Sequence, residues 1–270
     1  MNPFIHTIDP VIFRFGALSL NFYNLSYLIS FAIGFWGVQK NLVKKDIQMS
    51  VEHYTDFIFH IMLGTLLGGR LGYVFIYRFA EFLSDPLTLI RVWEGGMSFH
   101  GGAIGVILAT IYFCRKSGYN FYAVSDPAMP LVAIGVGLVR VANFLNGELY
   151  GSATNLPWAV VFARTDPQML PRHPSQLYEA LCEGFLMAIF LQFMLLKTKV
   201  KGLIFWLFIG IYGVVRFFVE FIRIRDNIDL YEEGHLLHES MLSMGQILSL
   251  VMICVAVTFI YRLYTKGQKT

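Results

Sequence analysis

Charge is scarce in this chain. Only 14% of its 270 residues are Asp, Glu, Lys or Arg, where an ordinary globular domain carries about 25%. So few charges cannot cover a water-facing surface. The 56% hydrophobic composition and mean hydropathy of +0.58 point the same way. Cysteine is almost absent too. Cys114, Cys182 and Cys254 stand far apart and form no CxxC or Cys/His ligand spacing, which excludes a disulfide framework and a zinc site. They read as small apolar residues on membrane helices. A net charge of +3, without a basic cluster interleaved with aromatics, excludes nucleic acid as a partner. A cleavable leader is not expected, because the first nineteen residues lack a basic start and contain Asp9, Pro10 and Arg14. Internal repeats and low-complexity tracts are missing as well, which argues against a transporter built from matching halves.

What is present is a series of apolar runs near twenty residues long. They predict an all-α polytopic membrane protein, one integral domain over residues 1–270, with seven spans. The spans fall at about 20–38, 55–77, 97–113, 124–146, 176–196, 202–221 and 243–261. The first long run starts near Leu20 and is expected to stay in the protein as a span. Residues 1–19 form an interfacial or external segment, in which VIFRF and ALSLNF around Gly16 read as a short hairpin. Every lysine lies in one set of alternate loops: Lys40, Lys44, Lys45, Lys116, Lys197, Lys199, Lys201, Lys266 and Lys269. By the positive-inside rule that side is cytoplasmic, so the N-terminus is outside and the C-terminus inside. An odd number of spans agrees with this. On the outer side, residues 147–174 read as a small head with a short strand at Trp158–Phe162, and 223–240 as a mobile loop.

Polar groups inside the spans carry the functional signal, because charge there is costly. In GLVRVANFLNGELYG, residues 137–151, a helix would set Arg140, Asn143 and Gly147 on one face, with Asn146 and Glu148 beside them. In YGVVRFFVEFIR a helix would align Arg216, Glu220 and Arg223. His100 opens the glycine-rich SFHGGAIGV, and Arg70 shares a span with Asp56. Each has a structural reading: Arg216 and Glu220 as a packed ion pair, Arg70 as a snorkelling or pairing residue, His100 as an interfacial histidine. Taken together, the arginines exceed what Glu148 and Glu220 neutralise, and such a surplus suits an anion such as a lipid phosphate. Glycines after His100 suit close helix packing or backbone approach to a ligand. His100 is the nearby side chain whose ordinary pKa suits a general base at neutral pH; it could instead hydrogen-bond a lipid head. A lipid transporter using the same arginines, or a scaffold with structural pairs, remains an alternative at this level.

FHGG at 99–102, RVANFLNGELYG at 140–151, RHPSQLYEA at 172–180, YGVVRFFVEFIR at 212–223 and SMGQILS at 243–249 resemble the bacterial prolipoprotein diacylglyceryl transferases. NFYNLSY at 21–27, GGRLGYV at 68–74 and RVWEGGMSFHGG at 91–102 extend the likeness over nearly the whole chain. Any one of these motifs is weak; together they are specific. The resemblance implies a multi-pass enzyme of the bacterial inner membrane, without metal or cofactor, with a small periplasmic head and a site toward the periplasm. It implies transfer of the sn-1,2-diacylglyceryl group from phosphatidylglycerol to the lipobox cysteine thiol of a preprolipoprotein, releasing glycerol-1-phosphate. The residues carried over are His100, Arg140 and Arg216 as catalytic, and Tyr23, Asn143, Asn146, Glu148, Gly151 and Glu220 as substrate-binding. One position departs: the family pattern has glycine before the signature arginine, and this chain has Val139.

Overall fold

The computed structural model describes residues 3–15, 18–91, 95–224 and 242–267. Long helices occupy the apolar runs: α1 (Phe22–Lys44), α2 (Val51–Tyr77), α4 (Phe99–Ser117), α5 (Phe121–Asn146), Ser175–Lys197, α8 (Leu203–Val219) and α9 (Met244–Gly267). A short α3 (Phe79–Ser84) follows α2. Each sequence-expected span lies largely on one of the long helices. By length and composition, α2, α5, Ser175–Lys197 and Met244–Thr265 can cross a membrane, and Leu203–Val219 is a shorter apolar helix. Exposed Leu, Ile, Val and Phe side chains run along these helices, as lipid-facing surfaces require.

The chain divides into two compact units, described in turn. One comprises Gln39–Ser125. Here Gly64, Gly68 and Gly72 on α2 meet Gly101 and Gly105 on α4, backbone against backbone. A Cβ on Gly105 would lie 2.0 Å from the Gly64 carbonyl oxygen, and one on Gly68 2.3 Å from that of Gly101. The glycines following His100 therefore serve helix packing. Ser98 caps α4 by accepting from the Gly101 amide at 3.2 Å, and its own amide donates to the Gly69 carbonyl at 2.9 Å. Arg70 is buried and donates to the carbonyls of Thr88, Leu89, Arg91, Gly95 and Gly96. It fastens that loop and neither snorkels nor pairs with Asp56, which instead meets Lys116 at 3.3 Å and His60 at 3.3 Å.

The other unit comprises Met1–Val38 and Asp126–Thr270. Its apolar core joins Ala133 of α5 to Met187, Ala188, Leu191, Leu195 and Ile204. The span Ser175–Lys197 is built from α6 (Ser175–Glu179), a π-helical turn (Ala180–Leu186) and α7 (Met187–Lys197). Asp126 accepts from the amides of Gly202 at 2.6 Å and Phe205 at 2.9 Å, so a side chain of α5 caps the start of α8. Trp206 stacks on Phe259 of α9, with centroids 4.2 Å apart.

Two small sheets complete this unit. Strands β2 (Val11–Phe15) and β3 (Leu18–Asn21) pair antiparallel, which is the expected hairpin; its turn at Gly16 lies outside the described residues. Strand β4 (Val160–Phe162) falls where the head was expected to hold a strand. It pairs antiparallel with β5 (Pro171–Arg172) and parallel with β1 (Phe4–His6), Phe4 opposite Val160. The parallel pairing of the N-terminal segment with the head was not expected. Of the stretch 223–240 expected as a mobile loop, residues 225–240 lie outside the described residues.

Candidate functional site

The polar stretch at the end of α5 is shaped by how that helix stops. Asn146 is its last residue, and Gly147 takes φ 73°, the left-handed region a glycine enters without a Cβ clash. The Gly147 amide donates to Phe144 O at 2.9 Å and the Glu148 amide to Asn143 O at 3.0 Å, the two bonds of a Schellman cap. Gly147 thus ends the helix, and is not on the helical face that spacing alone assigned it. This reversal folds Glu148 back onto its own helix. Its carboxylate accepts from Asn146 Nδ2 at 3.1 Å and Asn143 Nδ2 at 3.3 Å, while Asn143 Nδ2 also donates to the Tyr23 hydroxyl. Gln176 Nε2 donates to the Glu148 carbonyl at 2.7 Å, and Ser175 Oγ to that of Leu149 at 3.1 Å. Tyr23, Asn143, Asn146 and Glu148 are therefore one connected cluster. A hollow of about 280 Å³ adjoins it, lined in part by Gly147, Glu148, Thr165 and Arg223.

The arginines are held by other carboxylates than those the sequence suggested. Arg140 Nε lies 2.9 Å from Glu179 Oε2, and its NH2 lies 3.5 Å from Glu183 Oε2. Arg216 reaches Glu179 at 3.6 Å and Glu220 at 3.1 Å, and Arg223 reaches Glu179 at 3.4 Å. Glu220 also accepts from Ser243 Oγ at 3.0 Å, in the SMGQILS stretch. Glu179 thus sits at the centre of three arginines. The π-helical turn begins directly after it, and its wider winding keeps Glu179 and Glu183 on one inward face. Gly137 and Gly184 bring α5 against that turn: a Cβ on Gly184 would lie 2.4 Å from the Gly137 Cα. The close backbone approach on α5 is made at Gly137, and Val139 is half-buried beside it. Nothing in the structure explains why valine stands at 139.

The charge surplus inferred from sequence is thereby corrected. Three arginines face three glutamates in this network, and Glu148 pairs with asparagines instead. What remains is an asymmetry of exposure. Glu179 and Glu183 are fully buried, whereas the Arg140 and Arg216 side chains are 16% and 18% exposed. The accessible edge is cationic, backed by buried carboxylates. Glu179 belongs to the RHPSQLYEA motif but is not among the site residues that the resemblance carries over, and Glu183 lies outside the motifs. Two carboxylates four residues apart inside an apolar span were the signal that could have found them.

The other expected residues have plain positions. Gly151 bridges Arg223: its amide donates to His173 O at 2.9 Å, and a Cβ there would lie 2.5 Å from Ile222 O. It permits a close backbone crossing. His100 is exposed in the first turn of α4 and belongs to the Gln39–Ser125 unit. In the head, Asp166 accepts from both Nε and NH2 of Arg172 and from the amides of Gln168 and Leu170. The Arg172 guanidinium holds the Asp166 carboxyl below the usual carboxylate range. His6 is buried between Phe144 and Phe162, and burial lowers its pKa from the ordinary value.

Comparison with known proteins follows the same residues. The family model described as prolipoprotein diacylglyceryl transferase matches residues 10–262. The phosphatidylglycerol–prolipoprotein diacylglyceryl transferase of Ectopseudomonas mendocina is 45% identical over 246 residues, 91% of this chain and 90% of that protein. Those of Aeromonas hydrophila and Vibrio atlanticus are each 42% identical over 97% of this chain, covering 92% and 93% of their own lengths. Five of the motifs that carry the likeness have side chains in the networks around Glu179 and Glu148, and by the family model and these relatives the chain belongs to the prolipoprotein diacylglyceryl transferase family.

Proposed function

We propose that this protein transfers the diacylglyceryl group of phosphatidylglycerol to a prolipoprotein, the first step of lipoprotein maturation. The observation that carries this reading is the network around Glu179, whose open edge presents the guanidiniums of Arg140 and Arg216. In that reading the thiolate of the lipobox cysteine attacks the glyceryl carbon next to the phosphate. A carbon–sulfur bond forms, the carbon–oxygen bond to phosphate breaks, and glycerol-1-phosphate leaves with the bond's electron pair. Negative charge grows on the departing phosphate, so guanidiniums aimed at it favour the transition state over the bound lipid. Tyr23, Asn143, Asn146 and Glu148 position the glycerol head, and Glu220 orients Arg216. Gly151 keeps the backbone crossing beside Arg223. A free cysteine thiol is only a few per cent thiolate at neutral pH, so His100 takes its proton as general base. In the same reading the protein crosses a bacterial inner membrane seven times, with a periplasmic N-terminus and head and a cytoplasmic C-terminus, which the charge bias of the loops supports.

The test is purified protein in micelles with phosphatidylglycerol and a lipobox peptide, with the thioether-linked diacylglyceryl peptide measured by mass spectrometry. Product is expected from the natural sequence and none from Arg140→Ala that is still inserted and folded. Full activity in that variant would remove the phosphate role. A lipid transporter using the same arginines would yield no thioether at all.

A further inference from the structure

The network contains one carboxylate whose geometry the reaction above does not use. Glu183 is fully buried on the π-helical turn, and neither of its oxygens has a hydrogen-bond partner among the described residues. Among the described residues its ion-pair partner is Arg140, at 3.5 Å. The Gly137–Gly184 contact brings the two backbones that carry these side chains close together. Arg140 Nε meanwhile lies 2.9 Å from Glu179 Oε2, an ion pair also without hydrogen-bond geometry. Glu179 is thus the nearer carboxylate, and Glu183 balances charge from farther off without engaging the guanidinium's donors. A hydrogen-bonded carboxylate would occupy the N–H groups; an ion pair held at 3.5 Å leaves them for another acceptor.

From this we propose that Glu183 is a positioning residue that competes electrostatically with the lipid phosphate for Arg140 and so sets how readily the phosphate product departs. The inference rests on the transferase reading. The substrate phosphate is a diester with one negative charge. The product is a monoester that can carry two, so a site with an uncompensated arginine would hold it more tightly than the substrate. Three glutamates against three arginines keep the site from becoming a trap for its own product. Binding energy spent equally on ground and transition states does not raise turnover.

The experiment is steady-state kinetics of Glu183→Gln, which keeps shape and removes charge, with added glycerol-1-phosphate as inhibitor. A fall in KM for phosphatidylglycerol, a fall in kcat and about tenfold tighter product inhibition are expected, roughly the value of one partly buried charge contact. A merely structural role would lower kcat and raise or leave KM, with unchanged product inhibition, and that result overturns the proposal. Should Glu183→Gln fail to insert, Glu183→Asp withdraws the charge by one methylene and is read in the same way, with a smaller shift in the same direction. Failure of the transferase reading is distinguishable, because the natural sequence would then form no thioether.

Discussion

A guanidinium is a flat fork, and Arg216 uses its width. Two nitrogens of the same plane reach Glu179 and Glu220. A lysine ammonium is a single point and cannot span both while facing a phosphate. Arg216→Lys is therefore expected to insert normally and to lose transfer by about tenfold or more. An undiminished rate in the thioether assay would mean a bare charge suffices. The base assignment has its own measurement. His100→Gln is expected to lose activity near pH 7 and to regain part of it as the pH approaches the ordinary thiol value of about 8.5. Absence of rescue would reassign His100 to binding the lipid head. At this scale the sequence revealed which positions are polar inside apolar runs. It could not reveal their pairing, because Arg140 and Glu179 meet across two helices. Glu148 and Glu220 alone leave the arginines in surplus, and Glu179 and Glu183 remove it.

Helices were the most legible elements. Long apolar runs leave the backbone few alternatives to internal hydrogen bonding, so position and length follow from composition. Their special features were less visible. The π-helical turn has no composition of its own, and it carries the Gly184 that packs on Gly137. The span expected over 124–146 stops where α5 stops, at Asn146, but helical spacing does not carry through Gly147 to the face it would share with Arg140 and Asn143. That position gives an element-level prediction. Alanine at 147 would hold φ near 73° with a Cβ 3.1 Å from Thr165 Oγ1, so Gly147→Ala should cost about 1–2 kcal/mol. A lowered thermal midpoint in detergent, together with reduced transfer as Glu148 shifts, is the expected outcome; unchanged stability would mean the cap is relaxed in the membrane. Gly105→Ala tests the α2–α4 contact. Its Cβ would lie 2.0 Å from backbone oxygen, which no side-chain rotation can relieve, so a larger loss of stability is expected there.

Across the whole molecule, two claims can be measured without catalysis. Orientation is tested by single cysteines in a background lacking the natural three. Ser152→Cys should label from outside intact inner-membrane spheroplasts and Lys199→Cys only after permeabilisation; the reverse would invert the topology. The head has a pH signature. Because Arg172 lowers the Asp166 carboxyl, its stabilisation is complete above the ordinary carboxylate value near 4 and is lost as pH falls through the lowered value. Hydrogen exchange of residues 166–172 should accelerate below that value, and Asp166→Asn should erase this dependence. Persistence of the dependence in Asp166→Asn would assign it elsewhere. Residues 147–174 were legible as an insertion with one strand, because Pro and charge interrupt the apolar runs. Its partner strand was not, since three-residue segments far apart in sequence carry no pairing signal.

That partner strand has a consequence in time. Phe4 is made early and Val160 much later, yet they lie opposite each other in one sheet. At roughly 5–20 residues per second the interval is on the order of ten seconds. Throughout it the backbone groups of Phe4–His6 lack the neighbour that later satisfies them. The pairing can close only once Val160 has been made, so a tag fused immediately before Phe4 would compete with it from that moment, while the helices from Ser175 onward are still being added.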